Sequence, residues 1–123
     1  MGNNRVTHFE IPCNDPEATI KFFQEVFDWK FQAFGQDDYW IALSGDTGTP
    51  GINGAIMRKK DPNQPIVNTI QVDHIEKAIR KIEKSGGAIV VPKMPVSGVG
   101  WMAYFKDPDG NVHGVWEEDK FAK

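Results

Sequence analysis

The strongest candidates for chemistry in this chain of 123 residues are His8 and Glu10. They lie two apart in the alternating run Val6-Thr7-His8-Phe9-Glu10-Ile11, so a strand would put both on one face, with Cα atoms about 7 Å apart. A carboxylate near an imidazole raises its pKa and orients it. His8 could then act as a general base or donate a hydrogen bond to a ligand oxygen. The competing reading is a lining histidine with no chemical task. Cys13, just past this strand, lacks an activating neighbour and reads as an inert thiol.

Composition bounds the setting for that pair. One cysteine cannot form a disulfide within the chain, which fits a reducing compartment. No apolar run approaches the roughly 18 residues that would cross a bilayer, and Met1-Gly2-Asn3-Asn4-Arg5 is no signal peptide. A cytoplasmic protein is expected, with no membrane partner. Net charge is −3, with both signs interspersed. That argues against a nucleic-acid partner, which usually demands a basic face.

The elements that must position the pair follow from periodicity. After the strand ending at Pro12, Asn14-Asp15-Pro16-Glu17 starts a helix, with a capping acid, proline in the first turn and a carboxylate facing the positive end of the dipole. Ile20, Phe23 and Phe27 share its apolar face, supported by Phe22 and Val26, and it ends near Asp28. Strands follow at 29–34, 39–43 and 52–57, the first two around Gly35-Gln36-Asp37-Asp38. The order then repeats: a strand at 66–72, and a helix opening at Asp73 or His74 with the stripe Ile75, Ala78, Ile79 and Ile82. Ser85-Gly86-Gly87 stops this helix. A short strand at 88–91, a loop at 92–100 and a closing hairpin around Lys106-Asp107-Pro108-Asp109-Gly110 complete the order.

A shift of 59 pairs Glu17 with Glu76, Ile20 with Ile79 and Lys21 with Arg80. In the later strands a shift of 60 or 61 matches Trp40 with Trp101, Ala42 with Ala103 and Gly54 with Gly114. The expectation is therefore an α+β domain over 1–123 built as a duplicated half-fold: a β-α-β-β-β module at about 4–58, a connector at about 59–65 and a second module at about 66–118.

His8-Phe9-Glu10-Ile11-Pro12, the segment 15–31 and Asp107-Pro108-Asp109-Gly110-Asn111 together resemble the vicinal oxygen chelate superfamily. This is the group of glyoxalase I, bleomycin-resistance proteins and extradiol dioxygenases, and the chain is similar to its lactoylglutathione-lyase-related small proteins. The resemblance implies a cup-shaped, curled, mixed eight-stranded sheet with helices outside, and a homodimer. It also implies a divalent metal held by the first and last strands of each module, at positions 8, 54, 67 and 114. Those positions carry His8, Gly54, Val67 and Gly114, and only His8 can ligate. A catalytic cation needs about three protein donors, so no metal cofactor is expected except through a non-standard site including His8.

Strand parity, counted from those four positions, adds the rest of the lining: Val6 and Glu10; Ile52 and Ile56; Thr69 and Gln71; Val112 and Trp116. Ile52, Gly54, Ile56, Val67, Thr69, Gln71, Gly114 and Trp116 are the expected ligand contacts, with His8 and Glu10 as the polar pair. Gly54 and Gly114 would leave the floor open or merely permit a bend, and Trp116 would stack on a ligand. Trp40 and Trp101 read as core. Asn53 and His113 have the opposite parity. The loop at 92–100 is a candidate lid or a plain connector. Such a mostly apolar cup suits a small organic molecule, either transformed by His8 and Glu10 or sequestered without metal in the bleomycin-resistance manner. Glyoxalase I chemistry would lack the metal that stabilises its enediolate.

Overall fold

The computed structural model describes residues 4–35 and 38–123. The expected polar start Met1-Gly2-Asn3 and the centre of the first turn, Gln36-Asp37, lie outside the described residues. The described residues divide into two compact units, one within residues 7–66 and one of residues 67–123 with 4–6.

In the first unit, β1 (Arg5–Cys13, from residue 7 on within this unit), α1 (Pro16–Phe27), β2 (Lys30–Ala33), β3 (Tyr39–Leu43) and β4 (Gly54–Arg58) follow in order. The strands lie side by side as β2-β3-β4-β1. β1 runs parallel to β4, and the other neighbours are antiparallel. Asp15 caps α1 by accepting from the Ala18 N–H at 3.2 Å, and Asp28 closes it in the left-handed region at φ 59°. The sheet face toward α1 carries Phe9. Trp29 bridges this ring to the helix, 5.7 Å from Phe9 and stacked at 4.6 Å on Phe23. Phe22, Val26 and Phe27 remain more than half exposed. Only part of the expected apolar stripe is therefore core.

The second unit repeats the order with β5 (Val67–Gln71), α2 (Ile75–Lys84), β6 (Ala88–Val96), β7 (Gly100–Lys106) and β8 (Val112–Glu118), arranged β5-β8-β7-β6. Ile75, Ala103 and Val115 form its buried centre, with Val72, Ala78, Ile79, Trp101 and Phe105 packed around them. Both units mix parallel and antiparallel pairing, which is the α+β pattern expected.

Two boundaries differ from expectation. The segment expected as a loop from residue 92 continues as strand to Val96, with register shifts between Ile89, Val91 and Met94. Pro92 and Pro95 are accommodated because β6 ends the strand order of its unit, where missing N–H groups and irregular pairing are tolerated. Most of the supposed lid is thus sheet. β4 begins at Gly54 rather than Ile52, because Ser44 engages the preceding residues: its hydroxyl donates to the Ile52 carbonyl, and its N–H donates to Asn53 Oδ1 at 2.9 Å.

The strand registers also correct the internal repeat. Glu10 lies opposite Ala55, and Thr69 opposite Gly114. Thr69 follows Glu10 by 59 residues and Gly114 follows Ala55 by the same interval, so Ala55 is the counterpart of Gly114. Tyr39 pairs with Met57 and Met102 with Trp116, which makes Tyr39 the counterpart of Met102 and Trp40 that of Ala103. The match of Trp40 to Trp101 was two residues out of step, and the match of Gly54 to Gly114 was one.

Candidate functional site

A slip of one residue in a strand moves a side chain to the other face. Opposed residues share a face, so Ala55 and Met57 accompany Glu10 in the first unit, whereas Gly54 and Ile56 lie with Phe9 and Ile11 on the helix side. The expectation that Gly54 and Ile56 share the face of His8 is thereby corrected, and Ile52 lies outside the strand. In the second unit the expected parity holds. Thr69, Gln71, Gly114 and Trp116 share the face away from the centre formed by Ile75, Ala103 and Val115, and Val67, two before Thr69, shares it by alternation.

On the helix-distal face of the first unit, β1 presents His8 and Glu10 and β3 presents Tyr39. The Tyr39 hydroxyl donates to Glu10 Oε2 at 3.1 Å, and His8 Nε2 stands 3.1 Å from the same hydroxyl. Glu10 is 5% exposed. Tyr39 therefore joins two groups that their strand alone only sets side by side, and it supplies a charge-assisted hydrogen bond to a nearly buried carboxylate. Burial lowers the His8 pKa, and the charge of Glu10 offsets this only in part. Burial raises the Tyr39 pKa far above its usual value, and the charge and hydrogen bond of Glu10 push it further in the same direction. The arrangement is a neutral imidazole, a firmly protonated phenol and a carboxylate in series. Sequence reasoning missed Tyr39. Its signal was the alternation of β3, in which Tyr39 and Ile41 face one way and Trp40 and Ala42 the other.

The glycines do not open a floor. A Cβ on Gly54 would collide with the Phe9 carbonyl and come within 2.5 Å of its ring, and one on Gly114 would sit 2.9 Å from Thr69 Oγ1. Each glycine is required by a neighbour that already fills the space. Thr69 is 1% exposed, and its hydroxyl has no hydrogen-bond partner among the described residues.

The other candidates lie elsewhere. His113, on β8, bonds Asp107 Oδ2 of the preceding turn at 2.9 Å and stacks on Phe105 of β7. Trp101 borders the core of the second unit, donates to Asp119 at 3.0 Å and carries Lys93 Nζ 4.5 Å from its ring centre. Cys13 Sγ lies 3.5 Å from the Met57 carbonyl.

The donor set does not fit the divalent cation of the resembled family. His8 Nε2 is engaged by Tyr39, and the other three positions carry no donor side chain. No group of three or more His, Cys, Asp or Glu stands together among the described residues. No helix there is long and apolar enough to cross a membrane.

Two successive β-α-β-β-β units, each a mixed sheet with one helix, define the fold class of the chain. Residues 5–114 match the family model of the Glyoxalase/Bleomycin resistance protein/Dioxygenase superfamily, and the chain belongs to that superfamily. CFP32, a candidate glyoxylase of Mycobacterium tuberculosis (strain CDC 1551 / Oshkosh), is 26% identical over 121 residues, covering 90% of this chain and 44% of its own length. The chain thus spans less than half of that relative. A glyoxylase-like domain-containing protein of Didymella fabae is 25% identical over 119 residues, covering 92% of this chain and 93% of its own. In fold, the chain resembles the crystal structure of hypothetical protein BH1468 from Bacillus halodurans C-125. The TM-score is 0.72 at 14% identity, covering 100% of this chain and 99% of that one.

Proposed function

We propose that the chain binds a small organic molecule bearing one or two polar groups, at His8, Tyr39 and Glu10, without the divalent metal of its superfamily. The observation that carries this reading is the hydrogen-bonded series itself. A nearly buried carboxylate is costly to retain, and here it is linked to an imidazole that stays only partly buried. Buried apolar neighbours on the same face, Ala55 and Met57, hold the polar series in an apolar setting that suits a ligand with few polar groups. A neutral His8 can accept a proton, which supports turnover of the ligand as well as sequestration.

Calorimetry on chelator-treated protein tests the metal part. Binding of nickel, zinc, manganese or iron(II) is expected to be absent, and micromolar binding lost on His8→Ala would overturn it. A thermal-shift screen of hydroxylated and carbonyl metabolites tests the rest. A hit is expected to stabilise the wild type and to be weakened in His8→Ala. Trp116→Ala reads whether the helix-distal face of the second unit contributes. Hemithioacetal offered with nickel or zinc is expected to yield no glyoxalase I turnover.

A further inference from the structure

We propose, resting on the binding reading above, that Tyr39 is a positioning residue holding His8 as its Nε2–H tautomer, so that the site favours uncharged hydroxyl or amide donors over carboxylates.

The tautomer follows from proton counting. The single hydroxyl proton of Tyr39 is committed to Glu10 Oε2. At its contact with His8, 3.1 Å away, the phenol oxygen can then only accept, and Nε2 must bring the proton. A neutral imidazole has one N–H, which leaves the Nδ1 lone pair as its remaining acceptor. Neutrality is consistent with the burial that lowers the His8 pKa, and the raised pKa of Tyr39 keeps the phenol from giving up its proton.

Charge supplies the second half of the proposal. Glu10 places a negative charge two residues from His8 in a nearly buried position, where Coulomb interactions are weakly screened. A carboxylate approaching Nδ1 would find no proton to accept and would meet a like charge. An alcohol or amide would donate to Nδ1 and leave the charge of Glu10 undisturbed.

Long-range ¹⁵N–¹H NMR of the histidine rings reads the tautomer, and titration with benzyl alcohol and benzoate, two probes on one carbon skeleton, reads the selectivity. The expected spectrum has His8 protonated at Nε2 in the wild type and as a tautomer mixture in Tyr39→Phe. Benzyl alcohol is expected to shift the His8 resonances and to bind at least about tenfold more tightly than benzoate, the factor given by about 1.4 kcal/mol. Glu10→Gln is expected to shrink that preference without abolishing it, because the like charge is removed while Nδ1 still offers a carboxylate no proton. A wild-type His8 protonated at Nδ1, or benzoate binding at His8 as tightly as the alcohol, overturns the proposal. Shifts from neither probe, with Nε2–H in place, overturn its ligand half together with the binding reading and uphold the tautomer.

Discussion

Position for position, His8, Glu10 and Tyr39 of the first unit become Val67, Thr69 and Met102 of the second. The backbone order is the same, yet one helix-distal face carries a linked polar series and the other a buried hydroxyl with no partner among the described residues. The difference shows what a duplicated fold constrains. Strand pairing and the helix-facing core must recur, because they satisfy the backbone hydrogen bonds and bury apolar surface. The opposite face can diverge one side chain at a time. Divergence there is paired across strands: unbranched at Cβ, Glu10 tolerates Ala55 opposite, whereas Thr69, with two heavy atoms on Cβ, needs Gly114.

The comparison is tested most strongly at the glycines. Gly54→Ala would force Cβ against a backbone carbonyl and the Phe9 ring, and a backbone atom within a paired strand cannot easily retreat. A loss of about 3 kcal/mol in denaturant unfolding is expected, the upper range for overpacking. Gly114→Ala meets the Thr69 side chain first, and a side chain can shift where a backbone carbonyl cannot, so about 1–2 kcal/mol is expected. Adding Thr69→Ala to Gly114→Ala should recover most of that loss, and a simple sum of the two single losses would contradict the crowding argument.

Next in size is a pair of isosteric changes with opposite signs. Tyr39→Phe removes the hydroxyl between His8 and Glu10 and should destabilise by about 1–3 kcal/mol, as expected for loss of a hydrogen bond to a buried charged group. Thr69→Val removes a buried hydroxyl that has no partner among the described residues. It should be neutral or stabilising by up to about 1 kcal/mol. Equal losses in both variants would erase the distinction drawn between the two faces.

How far these features were legible in the sequence depends on which face is considered. The face of α2 was legible because apolar periodicity reports burial directly, and its stripe Ile75-Ala78-Ile79 serves as read. On α1 the capping residues Asp15 and Pro16 serve as read, but Phe27 of the expected stripe stays exposed. His8 and Glu10 were legible as a pair because neighbours on a strand need no long-range information. Tyr39 was not, since its contact with them spans about thirty residues and depends on the register of β3 on β4 and of β4 on β1. Gly54 was placed on the wrong face for the same reason. Matching glycine to glycine across the repeat moved the register by one residue, and in a strand one residue is the whole difference between faces.

The smallest effect separates the units by pH. Burial sets the folded pKa of His8 below its ordinary 6.5, so the folded state binds fewer protons there than the unfolded chain. Stability should therefore decline as pH falls from about 6.5, and the decline should level off once pH is below the folded value. His8→Val, which installs the residue found at the second unit's equivalent position, should remove this component. In the second unit, Asp107 is held down to about 2, first by its bond to His113 and then by the Asn111 N–H. Its stabilisation is present above the ordinary carboxyl value of 3.8 and is lost as pH falls through about 2. Amide exchange followed during acidification should then show β1 and β3 beginning to loosen as pH falls from about 6.5 and the turn at 106–111 protected until strongly acid conditions. Simultaneous loss in both places would mean that the two units respond to acid as one.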